Sequence, residues 1–259
     1  TGNILLLHMN EASGTISDSS GSGNHGTNNG ATYGAQGKFN NALKFDGIDD
    51  SVSISDSVSL DIAGVEITVT SWIKIDSINA ANLFNIILTK GSDSGASYRL
   101  ALDRDNQNLF FRLNADSLVT LSTNTIPNMG KWYHLVGTYN GSTMSIYLNG
   151  IREANADQSG NIIPNDNALF IGKGNANSQY FNGTIDEVVI FNRTLSETEI
   201  VDLYKRGALK LNLTLRSCDD SACLGETFLD INDTSPQNLS ITNNQYFQYL
   251  FGFETDNES

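Results

Sequence analysis

The stretch NGTIDEVVIFN, residues 182–192, sets two carboxylates side by side, Asp186 and Glu187, inside a β-branched and aromatic run. Carboxylates so placed invite two readings, an acid/base pair or oxygen ligands for a cation. On a regular strand successive side chains point to opposite faces. A glycosidase pair, by contrast, must flank one bond across a shared cleft, with carboxyls roughly 5–9.5 Å apart. Adjacent positions on a strand therefore do not make such a pair, and Glu187 faces away from Asp186 with no evident partner. A second acidic run, ETDNE, puts Glu254, Asp256 and Glu258 on one strand face, a spacing that glucanase chemistry uses. Its intervening residues, Thr255 and Asn257, are polar, and the run lies outside the part of the chain that would build a cleft. It reads as a solvated acidic terminus. The histidines are His8, His25 and His134, and neither a Gly-x-Ser-x-Gly elbow nor a phosphate loop occurs. Neither a zinc centre nor a nucleophilic triad assembles from these, and the chain reads as non-enzymatic.

The loop DSSGSGNHGTNNG, residues 18–30, is rich in glycine and side-chain oxygens. It suits either a wrap around calcium, which takes six to eight oxygens, or an ordinary flexible connector. DRDNQN, residues 103–108, begins like a calcium loop but lacks the glycine and glutamate that would complete one, so it reads as a turn. Cys218 and Cys223, in RSCDDSAC, have no second cysteine pair and no local histidine, and read as a short-loop disulfide. Asn-x-Ser/Thr sequons stand at Asn140, Asn182, Asn192, Asn212, Asn232, Asn238 and Asn257. Cysteines and sequons together predict an extracellular or cell-surface protein.

Lys and Arg number 15 against 29 Asp and Glu, a formal charge of −14. Such a surface repels phosphate backbones and anionic headgroups, which argues against nucleic-acid and membrane partners. No apolar run approaches the roughly 20 residues of a membrane span. No signal-peptide pattern opens the chain, and Thr1 is expected to be a trimmed or processed end.

The elements that must position these residues are nearly all strands. ALKFDGIDDSVSI, VEITVTSWIKI and SYRLALDRDNQNLFFRL alternate apolar and polar residues around turn signals, the last as a hairpin. KWYHLVGTYNGSTMSIYLNGIRE, residues 131–153, reads as a three-stranded meander. Its Asn140-Gly141 and Asn149-Gly150 pairs suit type I′ turns, and Met144, Ile146 and Leu148 share one face. One helix is predicted in LSETEIVDLYKRG. Ser196 and Glu199 form its capping box, Leu195 and Ile200 a hydrophobic staple, and Gly207 its stop. Ile200, Leu203 and Tyr204 make its apolar stripe. The expected architecture is all-β: an antiparallel two-sheet jelly-roll sandwich with one short helix over residues 1–207. A small second β-rich segment, 208–259, holds the cysteine pair. There NNQYFQYLFGF is a strong strand with Phe247, Tyr249, Phe251 and Phe253 on one face.

ALKFDGIDDSVSI, ITVTSWIKI, KWYHLVGTYNGSTMSIYLNG and FNGTIDEVVIFNRTLSETEIVDLY, in that order, resemble the laminin-G-like jelly roll of the concanavalin A-like lectin and glucanase fold. The resemblance runs from about Asn3 to Gly207. The remainder is similar to part of a β-rich module of archaeal surface proteins. The first resemblance implies a non-catalytic module for adhesion, binding glycan or a surface protein, often with calcium. Carried onto this chain, it implies Asp18 and Asp186 as carboxylate ligands of a structural calcium, joined by Asn24 and the His25 carbonyl. The first-strand acidic pair of the family is Asn10-Glu11 here. The ligand surface stays open, with Tyr98, Tyr139, Tyr147 and Tyr180 as ring candidates near turns or on a polar strand face. A second expectation is a structural subunit of an extracellular filament, sheath or layer. It would self-assemble by adding the C-terminal strand to a neighbour's sheet or by completion from a further segment.

Overall fold

The computed structural model describes residues 2–78, 83–92, 95–174, 179–225, 227–231 and 246–255; of 209–213, 230, 231 and 251–255 it describes the backbone alone. The strands, in chain order, are β1 Asn3–Leu7, β2 Thr15–Ile16, β3 Gly26–Asn29, β4 Thr32–Gln36, β5 Asn41–Asp46, β6 Ser51–Ile54, β7 Ile67–Ile75, β8 Phe84–Lys90, β9 Tyr98–Asp103 and β10 Leu109–Ala115. They continue as β11 Ser117–Ser122, β12 Trp132–Tyr139, β13 Thr143–Leu148, β14 Ile151–Asp157, β15 Leu169–Ile171, β16 Asn182–Phe191, β17 Leu209–Cys218, β18 Leu229–Ile231 and β19 Tyr246–Thr255. Among the described residues there is one helix, α1, which spans Glu197–Ala208. The chain divides into two compact units, Thr1–Tyr204 and Lys205–Ser259.

The first unit is a sandwich of two antiparallel eight-stranded sheets. The first sheet runs β14-β13-β12-β7-β16-β5-β4, with β1 also paired to β16; the second runs β11-β10-β9-β8-β15-β6-β3-β2. Alternation along each strand sends one set of side chains between the sheets. Ile73, Leu135, Ile146 and Ile185 from the first meet Leu88, Leu100, Phe111 and Ile171 from the second in one buried core. Gly137 sits where a Cβ would strike the Phe111 ring, so Phe111 of the second sheet packs directly on the backbone of the first.

Local chemistry explains the turns. Asn149 and Gly150 both take positive φ, 51° and 79°, as a type I′ turn demands. The Asn140-Gly141 pair differs from the expectation. Only Gly141 is left-handed, and the Asn140 Oδ1 instead accepts N–H donors from Ser142 and Thr143, closing an Asx turn. In α1 the capping box forms. Glu199 N donates to Ser196 Oγ, Ser196 N donates back to Glu199 Oε2, and Leu195 packs with Ile200. Gly207 lies inside the helix rather than ending it.

The second unit carries a three-stranded sheet in the order β18-β17-β19. Cys218 and Cys223 are joined by a disulfide with Cα atoms 5.0 Å apart. The rings of Phe247 and Tyr249 are exposed, while the side chains of Phe251 and Phe253 lie outside the described part of the molecule. The same holds for the sequons at Asn232, Asn238 and Asn257 and for the acidic residues Asp256 and Glu258.

Candidate functional site

The residues expected to hold calcium organise two different loops. Asp18 accepts four hydrogen bonds: from Leu6 N and Ser20 N at Oδ1, and from Ser20 Oγ and Asn24 N at Oδ2, at 2.8–3.0 Å. Burial works against its charge, but the donors from Ser20, Leu6 and Asn24 outweigh it and hold the carboxyl below its usual range. Asn24 gives its amide to Ile4 O and Ser59 Oγ and accepts from Ser57 Oγ. His25 Nδ1 accepts from Asp18 N. Asp186 is fully buried; its Oδ2 takes Lys38 N and Phe39 N and its Oδ1 takes Glu187 N. Burial pushes Asp186 up to about 7, against the Phe39 and Lys38 donors and with help from the neighbouring Glu187 charge.

Leu7 pairs with Val188 on one side of β1 and bridges to Asp18 on the other, so a strand runs between the two acids. A carboxylate has about four lone-pair positions. All of Asp18's are taken by these four donors. Glu187 does have a partner: its Oε1 lies 2.7 Å from His8 Nδ1. The register shifts between Asp186 and Val189, and Glu187 takes φ +48°. The strand bulges there, so regular alternation does not apply to this pair.

Two other acidic groupings occur among the described residues. Asp56, Asp61 and Asp166 converge where a cation would be held, and Lys90 supplies that cation. Its fully buried ammonium lies 2.6 Å from Asp56 Oδ1 and 2.8 Å from Asp61 Oδ1, and donates to the carbonyls of Asn165 and Asn167. Asp46, Asp49 and Asp50 cluster in the β5–β6 connection. Burial raises the Asp50 carboxyl, and although Asp46 N donates to it, the charges of Asp46 and Asp49 add to the rise.

Part of the outer face of the first sheet is covered, while beside it Lys74 Nζ lies 5.3 Å from the partly accessible Trp132 ring. Asp186, Trp72 and His134 are cross-strand neighbours in one row over β16, β7 and β12. Tyr204 of α1 stacks on Trp72 at 5.8 Å, and Lys38 Nζ lies 4.7 Å from the Trp72 ring. Val136 and Tyr147 close the neighbouring patch against Leu195 and Ile200. His134 is 3% exposed, bonded through Nε2 to Thr70 Oγ1, and burial lowers it to about 3.

The outer face of the second sheet is organised otherwise. Phe84 and Phe110 meet edge to face at 5.2 Å, and the Arg112 guanidinium lies over both rings at 5.1 and 5.2 Å. Across the sheet, Lys173 Nζ lies 5.0 Å from the Phe170 ring and 6.0 Å from that of Tyr180. The register joins the two groups in one row, Phe170 to Thr89 to Arg99 to Arg112. At ~4.8 Å per strand the row is about 14 Å long. Phe84, Arg112, Phe170, Lys173 and Tyr180 are all partly accessible. Thr89 and Arg99, the two residues between these groups in the row, are fully buried, with Arg99 Nε on Thr89 Oγ1. This is a candidate carbohydrate surface: flat rings for the apolar faces of sugars, edged by fixed polar donors.

Sequence reasoning missed most of this surface. Of the tyrosines it singled out, Tyr98 and Tyr139 are buried and donate to Leu60 O and Gly160 O, and Tyr147 packs under α1. Tyr180 alone of the four belongs to the accessible band. The signal available was the outward-facing set of β10, Phe110 and Arg112, in a strand where an inward set of Leu109, Phe111 and Leu113 was equally apolar. A separate cleft of about 480 Å³, lined by Val58, Ile62, Val65, Asp61 and Glu66, presents neither a ring nor a cation. Of the described sequons, Asn140 is exposed at its turn, Asn182 donates its amide to Asp46 O, and Asn192 borders that cleft.

A two-sheet sandwich of this topology with a ring-bearing outer face is a lectin-like architecture. The family model of the concanavalin A-like lectin/glucanases superfamily, of laminin-G type, matches residues 46–201, and the chain belongs to that family. No curated protein matches it in sequence. Among solved structures it is similar to the binding domain of Paraclostridial Mosquitocidal Protein 1, with 16% identity over 85% of this chain and a TM-score of 0.66; it spans 62% of that domain. It is also similar to domain 4 of AbnA, an extracellular GH43 arabinanase of Geobacillus stearothermophilus solved with arabinotriose: 19% identity, 78% of this chain, 98% of that one, TM-score 0.62. A third likeness is the botulinum neurotoxin serotype D ligand binding domain in complex with N-acetylneuraminic acid: 19% identity, 79% of this chain, 51% of that one, TM-score 0.64. At these identities the likeness is one of fold. Among the described residues no helix is long and apolar enough to cross a membrane.

Proposed function

We propose that the protein is a non-catalytic, extracellular carbohydrate-binding module whose ligand lies across the outer face of the second sheet. The observation that carries this is the partly accessible rings of Phe84, Phe170 and Tyr180, with Lys173 over the latter two. Family membership, the disulfide and the arabinotriose-bound relative in the same fold support it. The test is titration calorimetry of the full chain against neutral and acidic oligosaccharides, with Phe84→Ala, Phe170→Ala and Tyr180→Ala. A stacking ring contributes about 1 kcal/mol, so each variant should bind roughly fivefold more weakly. Unchanged affinity in all three would remove this face from the reading.

A second reading, assembly through the second unit, is favoured by a different observation. Tyr249 is 71% exposed and Leu250 57%, on β19, which among the described residues pairs only with β17. An apolar strand with an open edge is a template for another chain. Light scattering of the full chain and of a chain lacking residues 244–259 tests this. Particles that persist after the deletion would rule out strand addition.

A further inference from the structure

We infer that the ligand's track runs from Phe170 over β6, β3 and β2, and that it takes a neutral, hydroxyl-rich oligosaccharide several sugars long. The inference rests on the carbohydrate reading above and adds to it a path and a ligand class.

From Phe170 the register runs two ways. Toward β8 and β9 it meets Thr89 and Arg99, both fully buried. Toward the other edge it passes to Ser53 on β6, Thr27 on β3 and Thr15 on β2. Alternation turns these side chains outward, because their strand neighbours Leu169, Ile171, Val52, Ile54 and Ile16 lie in the core. Phe170 and Ser53 are partly accessible, and Thr27 and Thr15 are exposed, so this arm of the row is open throughout. Four strands at ~4.8 Å spacing make it about 14 Å long, more than a single sugar ring spans.

The groups along it suit hydroxyls. Asn29 donates its amide to Thr27 O and Ser53 Oγ, at 3.2 and 3.1 Å. That fixes the exposed Asn29 side chain and leaves its Oδ1 to accept, while Ser53 keeps its own proton to donate. Thr15 and Thr27 each add a hydroxyl that both donates and accepts. A sugar hydroxyl does both as well and finds a match at every position. A carboxylate only accepts, and would meet the Asn29 oxygen with no proton between them. Phe170 supplies a flat ring at the end of the row, and Lys173 lies against that ring.

Charge points the same way. Acids outnumber bases 29 to 15 over the chain, yet β2, β3, β6 and β15 contain no Lys, Arg, Asp or Glu. Asp46, Asp49 and Asp50 gather where β5 passes to β6, and Glu11 accepts from Ser17 N just past β2. An anionic chain on the row would lie near these carboxylates and be repelled, whereas a neutral chain is indifferent to them.

The test is calorimetry of the full chain with arabino-, xylo- and malto-oligosaccharides from the monosaccharide upward, and with a galacturonic-acid oligomer. Affinity for a neutral series should rise about tenfold or more from the monosaccharide to the length that fills the row, as hydrogen bonds accumulate, and then level off. The acidic oligomer should bind no more tightly than the best neutral one. Thr27→Ala and Asn29→Ala should each weaken binding about three- to fivefold, the scale of one hydrogen bond. Thr27→Arg, which lays a long side chain over the row, should cost more than either. Thr120→Ala, the same change beyond Arg112 at the opposite end of the register, should leave affinity unchanged. All three positions are exposed, so melting curves of these variants should match wild type. Neutral binding that falls in Phe170→Ala but holds in the Thr27 and Asn29 variants would overturn the path and leave the carbohydrate reading standing. So would a loss in Thr120→Ala as large as in Thr27→Ala. Tighter binding of the acidic oligomer would overturn the ligand class, and binding of none of these sugars would overturn the reading itself.

Discussion

On the outer face of the first sheet, Trp72 and His134 lie under Tyr204 of α1, with Lys38 laid against the indole. On the outer face of the second sheet, Arg112 lies over Phe84 and the buried Phe110, and Lys173 over Phe170; Phe84 and Phe170 are partly accessible, and among the described residues no helix covers them. Both faces thus use aromatic side chains with a cation above. In the first, apolar area removed from water contributes to folding, at roughly 25 cal/mol per Å². In the second, part of the same kind of surface is left accessible, which is an unfavourable arrangement for a lone domain unless something binds there. Composition did not mark Trp72 for cover and Phe170 for exposure; the placement of α1 over Trp72 did.

Breaking this contrast should produce effects of graded size. The largest expected is at Lys90, like Arg99 a second-sheet cation that is buried instead of displayed. Lys90→Met would leave Asp56 and Asp61 facing each other, and should cost about 3 kcal/mol, the lower end for a broken buried pair because both acids keep some solvent. Urea denaturation would read it; a loss under 1 kcal/mol would mean the cage is not a stability element. Next is the seal. Ile200→Ala removes the helix residue most deeply packed on the first face and should cost about 2–4 kcal/mol. Phe170→Ala, on the open face, should change stability by no more than about 1 kcal/mol while weakening ligand binding. Equal stability losses in these two variants would erase the distinction between the faces.

The smallest effect expected is in the pH dependence of the sealed row. Asp186, raised to about 7, binds its proton in the folded state where the unfolded chain has lost it. Its contribution is therefore present at low pH and fades as pH rises from about 4 to 7. His134, lowered to about 3, behaves oppositely. The unfolded chain takes the proton first, so stability is lost as pH falls from about 6.5 to 3. Between about 4 and 6.5 the two slopes oppose each other. Asp186→Asn should expose the histidine slope, with melting temperature falling more steeply on acidification, and His134→Phe should expose the carboxyl slope. Melting curves of the two variants that run parallel to wild type across pH 4–8 would show that neither group titrates as its burial implies.

Much of the architecture was legible in the chain because local rules sufficed. Apolar alternation in ITVTSWIKI and KWYHLVGTY marks half-buried strands, the Ser196–Glu199 pair marks a helix start, and Asn149-Gly150 tolerates the backbone that a two-residue hairpin needs. The candidate site was less legible. Asp18 and Asp186 stand on either side of β1, Asp18 bridging to Leu7 and β16 pairing with it, an arrangement that no local pattern reveals. The bulge at Glu187 likewise depends on β16 pairing β5 on one stretch and β1 on the next.

What the sequence determined by itself is therefore the list of elements, their inward faces and the disulfide. These follow from side-chain period, turn chemistry and the nearness of two cysteines. Which outward face is covered was decided only in three dimensions. Asp46 and Ser51 are a few residues apart, yet β5 enters one sheet and β6 the other, and the strands of the band, β8 to β10 and β15, are neighbours only through long-range pairing. Burial of an outward ring depends on what packs above it, and that is a property of the closed sandwich rather than of any strand within it.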